Sequence, residues 1–319
     1  MVSNAVILRL SFFCISWGFF AHQEINELAI YTLPADLLAF YKPNLAYIRE
    51  VSVNPDRRRH SVPEEAPRHY IDLDHYGDSA IHRLPKTWQE AVTRFTEDTL
   101  VAYGVLPWHI SRMYYRLRES FLLRDPARIL KLSSELGHYV GDAHVPLHTT
   151  ENYNGQLTGQ DGIHAFWESR LPELFARDFN FLTGRASYIG DPLAAAWQAV
   201  ADSHAAVDSV LRIEKELSQQ HSGRKFGFES KGRVTTKVYA VNFSRAYHRR
   251  LKGMVERRMR AAIRMTGDLW YSAWIDAGQP DISTLLSYQP SPEELAERQR
   301  ELELWRTKNV RARPHEGTQ

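Results

Sequence analysis

The stretch HYVGDAHVPLH, residues 138–148, holds three histidines and an aspartate. His138 and Asp142 are four apart, so on a helix their side chains share one face, one turn from each other. A second pair, His164 and Glu168 in GIHAFWES, repeats that spacing, and His148 stands between the pairs, just beyond Pro146. One His–acid pair at this spacing is commonly a surface ion pair. Two such pairs with a further histidine between them suit a divalent cation, which takes imidazole nitrogens and carboxylate oxygens brought together by helices. The single cysteine, Cys14, excludes a Cys-rich zinc site and a disulfide framework within the chain, so a metal here must be held by His, Asp and Glu.

The elements that must carry these residues read as helices. Asp125-Pro126 is a start signal, followed by Ile129, Leu130, Leu132, Leu136 and Val140 at helical spacing, and Pro146 stops the run. A short helix is expected over 164–171, after a Gly/Asn/Thr-rich loop at 149–163. Pro34 splits 23–41 into two helices. Further helices are expected over 88–103, over 107–123, after Asp191-Pro192, and over 237–274. Trp108, Tyr114 and Tyr115 read as core. Residues 44–86, rich in Pro, Asp, Arg and His, read as a long irregular loop region, and 220–233 as a basic, Gly-rich linker. No β-alternation is sustained. The fold class is therefore all-α: one mostly helical domain over 17–285, then a charged helical tail over 286–319 with a disordered end.

At 319 residues and 43% hydrophobic, the chain can bury a sizeable core. A formal net charge of +2 advertises no broad basic surface, so contact with a polyanion would be local. No apolar run approaches the roughly 20 residues of a membrane span. Residues 1–16 read as an export signal, with Cys14 and Ser16 as small residues before a cut after Ser16. The alternatives are a buried first helix or a misplaced start. Export would place the protein in a periplasm or outside the cell.

The order His138, Asp142, His148, His164, Glu168 resembles the superfamily of zinc-dependent phospholipases C and single-strand-specific nucleases. The resemblance implies a mostly helical fold and three zinc ions. It implies that Trp17, in WGFFAH, begins the mature chain and binds zinc through its own amino nitrogen and carbonyl oxygen, with His22 beside it. It adds Asp56, in VNPDRRRH, and His69, in RHYIDLDHYG. One zinc would take Asp56, His69, His138 and Asp142; a close neighbour, the Trp17 terminus, His22 and the shared Asp142; a third, His148, His164 and Glu168. The motifs span 17–168, about half the chain.

The implied activity is phosphoester hydrolysis by zinc-activated hydroxide, with Asp56 orienting or deprotonating the nucleophile and Arg59 meeting the phosphate. Tyr70 and Asp72 would hold a base by stacking and hydrogen bonding. Two substrates remain open. The short spacing from Trp17 to His22, Arg59 and the Tyr70/Asp72 pair favour single-stranded DNA or RNA. Glu168, where the nucleases usually carry Asp, favours a phospholipase C acting on phospholipid. A third reading is a non-catalytic metal-binding helical module that keeps residues 1–16. His144 lies off the His138 face and reads as supporting or structural, and His60 and Asp74 are reserve ligands. Oligomeric state is not legible.

Overall fold

A computed structural model describes residues 18–221, 223–231 and 234–307. The expected export signal and the Trp17 ligand fall outside the described residues.

Helices dominate, as the apolar periodicity requires. In chain order they are α1 (Gly18–Ile30), α2 (Ala35–Tyr41), α3 (Leu45–Val51), α4 (Asn54–Arg58), α5 (Ala80–Arg83), α6 (Trp88–Phe95), α7 (Glu97–Ala102), α8 (Leu106–Leu122) and α9 (Pro126–Ala143). After these come α10 (Ile163–Ala165), α11 (Leu171–Phe175), α12 (Pro192–His204), α13 (Val207–Gln220), α14 (Val241–Arg250), α15 (Met254–Asp276) and α16 (Pro292–Thr307). The sheet among the described residues is one antiparallel hairpin, β1 (Phe226–Lys231) with β2 (Val234–Tyr239).

α9 is the central element. Asp125 caps it, Oδ1 accepting from the Arg128 N–H at 3.0 Å, and Pro126 fills the first turn, where no N–H is needed. Ile129, Leu136 and Val140 pack into the largest of three buried apolar clusters, with Leu117 and Phe121 of α8 and Leu269 and Trp270 of α15. The Trp270 ring lies flat against Tyr41, centroids 5.0 Å apart, and its Nε1–H donates to the Ser133 carbonyl on α9. The second cluster joins Ile163, Phe166, Trp167 and Leu171 to α13, α14 and the start of α15. His138 and Asp142 lie toward the C-terminal end of α9, beyond which Val145 and Leu147 belong to the second cluster.

The chain departs from the sequence expectation at several places. Thr96, with φ 66°, breaks the expected 88–103 helix into α6 and α7, and its side chain caps α7 by accepting from the Thr99 N–H. Lys252 and Gly253, both at positive φ, separate α14 from α15. The expected linker at 220–233 instead enters the hairpin, where Phe226 and Phe228 alternate with Gly227 and Glu229. The region 44–86 contains α3, α4, α5 and two 3₁₀ turns rather than plain loop. Trp108 and Tyr114 are core, whereas Tyr115 is 52% exposed. The tail helix α16 docks on the loop after α4, where the Ser61 hydroxyl donates to the Trp305 carbonyl at 2.8 Å. No helix among the described residues is long and apolar enough to cross a membrane.

Candidate metal centre

Seven elements deliver the candidate ligands. His22 comes from α1 and Asp56 from α4. His69 ends the 3₁₀ turn Ala66–His69, and α9 carries His138 and Asp142. His148 lies in the 3₁₀ turn Pro146–Thr149, His164 in α10, and Glu168 in a single π-helical turn, Phe166–Arg170. Such widened turns recur at functional sites. All eight side chains are buried except Asp56, which is 11% exposed.

Four of these residues close on one point. His69 Nδ1 lies 3.1 Å from His138 Nε2 and 3.0 Å from Asp142 Oδ2. His138 Nε2 lies 3.3 Å from Asp142 Oδ2, and Asp56 Oδ1 is 3.7 Å from both imidazole nitrogens. A tetrahedral zinc with bonds of about 2.1 Å sets its ligands roughly 3.4 Å apart. His69, His138 and Asp142 match one face of such a tetrahedron, and Asp56 flanks its His69–His138 edge, where it also groups with His22. A second group joins His148 Nε2, His164 Nε2 and Glu168 Oε2, separated by 3.1, 3.4 and 2.6 Å. Between them, His22 Nε2 stands 3.4 Å from Asp142 Oδ1 and 3.7 Å from Glu168 Oε1. Both carboxylates are therefore divided, one oxygen in an outer group and the other beside His22.

The imidazoles are turned for ligation. The Nδ1–H of His138 donates to the Ser52 carbonyl at 2.8 Å, that of His164 to the Tyr153 carbonyl at 3.2 Å, and that of His148 to the His69 carbonyl. Each leaves a lone pair on Nε2, facing the groups above. Asp142 Oδ1 and Glu168 Oε1 are buried with no hydrogen-bond partner. Orphaned anionic oxygens are costly in an interior, and a cation is what would satisfy them together with the converging lone pairs. The donor set is nitrogen and oxygen throughout, so the residues present fit divalent metal ions, zinc among them.

Charge follows the same geometry. Burial alone would raise the Asp142 carboxyl, but the His138 and His148 imidazoles outweigh it and hold it well below the usual range. Glu168 is likewise held low, against burial, by the surrounding His148, His164 and His22 imidazoles. Burial would lower His148, yet Asp142 and Glu168 push it up to about 8.

The other expected residues fall outside these groups. Arg59 is buried beside Asp56, Nη1 to Oδ1 3.6 Å. Tyr70 is 8% exposed and its hydroxyl reaches toward the Ala102 carbonyl, while Asp72 is 5% exposed, so neither offers an open face for a base. His144 caps α9, donates through Nδ1 to the Val140 carbonyl at 2.8 Å, and is lowered to about 3 by burial and then by Arg258. Asp74 accepts from the Thr150 hydroxyl and the Glu151 N–H, pinning the 149–163 loop. His60 is half-buried and lowered by burial and by Arg59.

Sequence reasoning missed two features that build the site. Glu65 is fully buried behind His69. It precedes His69 by four residues, the same spacing that flagged the other pairs. Gly137 and Gly141 line the face of α9 that α1 crosses. No protein-family model matches the chain, and no curated protein matches it either.

Proposed function

We propose that the chain is a zinc-dependent phosphodiesterase of the phospholipase C and single-strand-specific nuclease type, acting on single-stranded DNA or RNA. The observation that carries this reading is the convergence of His69, His138 and Asp142, with Asp56 beside both imidazoles and Asp142 shared toward His22. Zinc held by these residues and by the neighbouring His22, Asp142 and Glu168 group would supply Lewis acidity toward water and toward a phosphoryl oxygen. Asp56, the most open of the carboxylates, accepts the proton of the attacking water at Oδ2, the oxygen not turned to the imidazoles. The guanidinium of Arg59, next to Asp56, offers charge to phosphoryl oxygens as negative charge builds there. Helices and tight turns hold the ligands, so little reorganisation accompanies substrate binding. Residues 1–16 would direct export, and their removal would make Trp17 the first residue.

The preference for nucleic acid over lipid rests on the segment before His22, where only Gly, Phe, Phe and Ala follow Trp17 and no acidic residue awaits a cationic head group. Glu168 favours the second reading, phospholipase C. A side-by-side assay decides, using zinc-loaded protein that starts at Trp17 against single-stranded DNA, RNA and phosphatidylcholine vesicles. Cleavage of either nucleic acid supports the first reading, and phosphocholine release supports the second. Metal uptake with no hydrolysis of any of the three leaves a metal-binding helical module.

A further inference from the structure

We infer that Glu65 is a positioning residue of the metal centre: its carboxylate holds the His69 imidazole so that Nε2 keeps the proton and Nδ1 faces the ligands. The inference rests on the metal reading above. His138, His148 and His164 each turn Nε2 inward and anchor Nδ1–H on a backbone carbonyl. His69 is the exception. It presents Nδ1, 3.0 Å from Asp142 Oδ2 and 3.1 Å from His138 Nε2, so its N–H points backwards. What stands behind it is Glu65 Oε1, at 3.4 Å, with both side chains wholly buried. The N–H lies off the line of a full hydrogen bond and Nε2 has no other partner. Apo contacts of this kind tighten when the ligand set closes.

The carboxylate is fixed from the other side. Oε2 accepts from Arg58 Nε at 2.7 Å and from Arg68 Nη1 at 2.8 Å, and Oε1 accepts from the Tyr139 hydroxyl. Arg58 is held in turn by Glu135, Nη1 to Oε1 2.7 Å. Burying such an ensemble is expensive and often no more stabilising than apolar packing. Its place directly behind a ligand gives it a further role. A carboxylate on the far nitrogen fixes the tautomer and ring orientation of a metal-binding histidine and raises its basicity. The run Arg57-Arg58-Arg59 thereby divides. Arg57 lies over the Phe19 ring, Arg58 locks Glu65, and Arg59 pairs with Asp56.

The test reads metal binding, not hydrolysis. Zinc affinity is measured by chelator competition, the ligand field by visible absorption after cobalt loading, and folding by circular dichroism. Glu65→Gln is expected to fold, lose about 10- to 100-fold in affinity at one site, and shift the cobalt bands, with the remaining sites unchanged. Glu65→Asp keeps the charge between Arg58 and Arg68 but withdraws it from His69, so it should show a smaller loss. Folded Glu65→Gln with wild-type affinity and spectrum overturns the inference. If Glu65→Gln fails to fold, Glu65→Asp decides in the same way, by weakened or wild-type binding. Metal binding that depends on Glu65 in a protein that cleaves no phosphoester leaves this inference standing and removes the enzymatic reading.

Discussion

His22 and Asp142 meet where α1 crosses α9, Nε2 to Oδ1 at 3.4 Å, and they meet because residue 141 has no side chain. A Cβ at Gly141 would fall 2.8 Å from His22 Nδ1 and 3.0 Å from its Cε1. One turn earlier, a Cβ at Gly137 would fall 2.2 Å from Asn26 Oδ1. Two glycines four apart on α9 thus admit α1 to ligand distance. Gly141→Ala is expected to cost about 1–3 kcal/mol through overpacking and to displace His22. Metal content should drop while helicity is retained. Urea denaturation and metal analysis measure both, and wild-type values for both would refute this account of the crossing.

That crossing marks the limit of what the sequence made legible. The periodicity of Ile129, Leu136 and Val140 and the caps at Asp125 and Asp191 led correctly to the helices that carry and brace the site. His138/Asp142 and His164/Glu168 were legible because each pair is local, and four-residue spacing maps directly onto a helix face. Glu65 lay in a Pro-rich segment where no helix was expected, so the same spacing went unread. The hairpin was missed because its alternation consists of Phe226 and Phe228 against Gly227 and Glu229, too short beside a Gly-rich stretch to stand out. The burial of Tyr70 and Asp72, and the π turn under Glu168, are set by tertiary packing and have no local signal.

The divided carboxylates rank the ligands. Asp142 places one oxygen with His69 and His138 and the other near His22 and His148. Glu168 serves His148 and His164 with one oxygen and His22 with the other. Asp142→Asn and Glu168→Gln should therefore each disturb more than one ion, with Asp142→Asn the more severe. The expected loss of activity exceeds the roughly 10- to 100-fold that follows from disturbing a ligand's orienting partner. Metal analysis alongside the hydrolysis assay checks the order. Loss of a single equivalent in both variants would show that the oxygens are not shared.

The raised His148 predicts an alkaline weakness of the metal-free protein. Its folded value of about 8 lies above the ordinary value near 6.5. The protonated ring is then favoured by folding, so the stabilisation is complete below about pH 6.5 and disappears as pH rises through about 8. The shift corresponds to about 2 kcal/mol. Asp142 and Glu168, both held low, act at the opposite end: their contribution is present above the ordinary carboxylate range and is lost as pH falls through their folded values. Urea denaturation of chelator-treated protein should show lower stability at pH 9 than at pH 6. Zinc-loaded protein should lack this decline, because a cation replaces the proton. Equal stability of the metal-free protein at the two pH values contradicts the assignment.

The proposed terminal ligand can be tested by one residue of chain length. α1 begins against the site, and a Cβ on Gly18 would sit 3.1 Å from Glu168 Oε1, the orphaned oxygen that also faces His22. The proposed function would bring the amino group of Trp17 to that same group of atoms. An α-amino group has a pKa near 7.7–8.0, low enough to give up its proton to a metal close to neutral pH. Two proteins, one starting at Trp17 and one at Ser16, differ in a single residue but present different nitrogens at position 17: a free amine and an amide, which is a far poorer donor. The shorter protein is expected to hold one more equivalent of zinc and to hydrolyse at least about 10-fold faster, the lower bound for loss of a metal-orienting contact. If the two match in metal content and rate, the terminal amine is not a ligand. His22, Asp142 and Glu168 would then have to hold their ion without it.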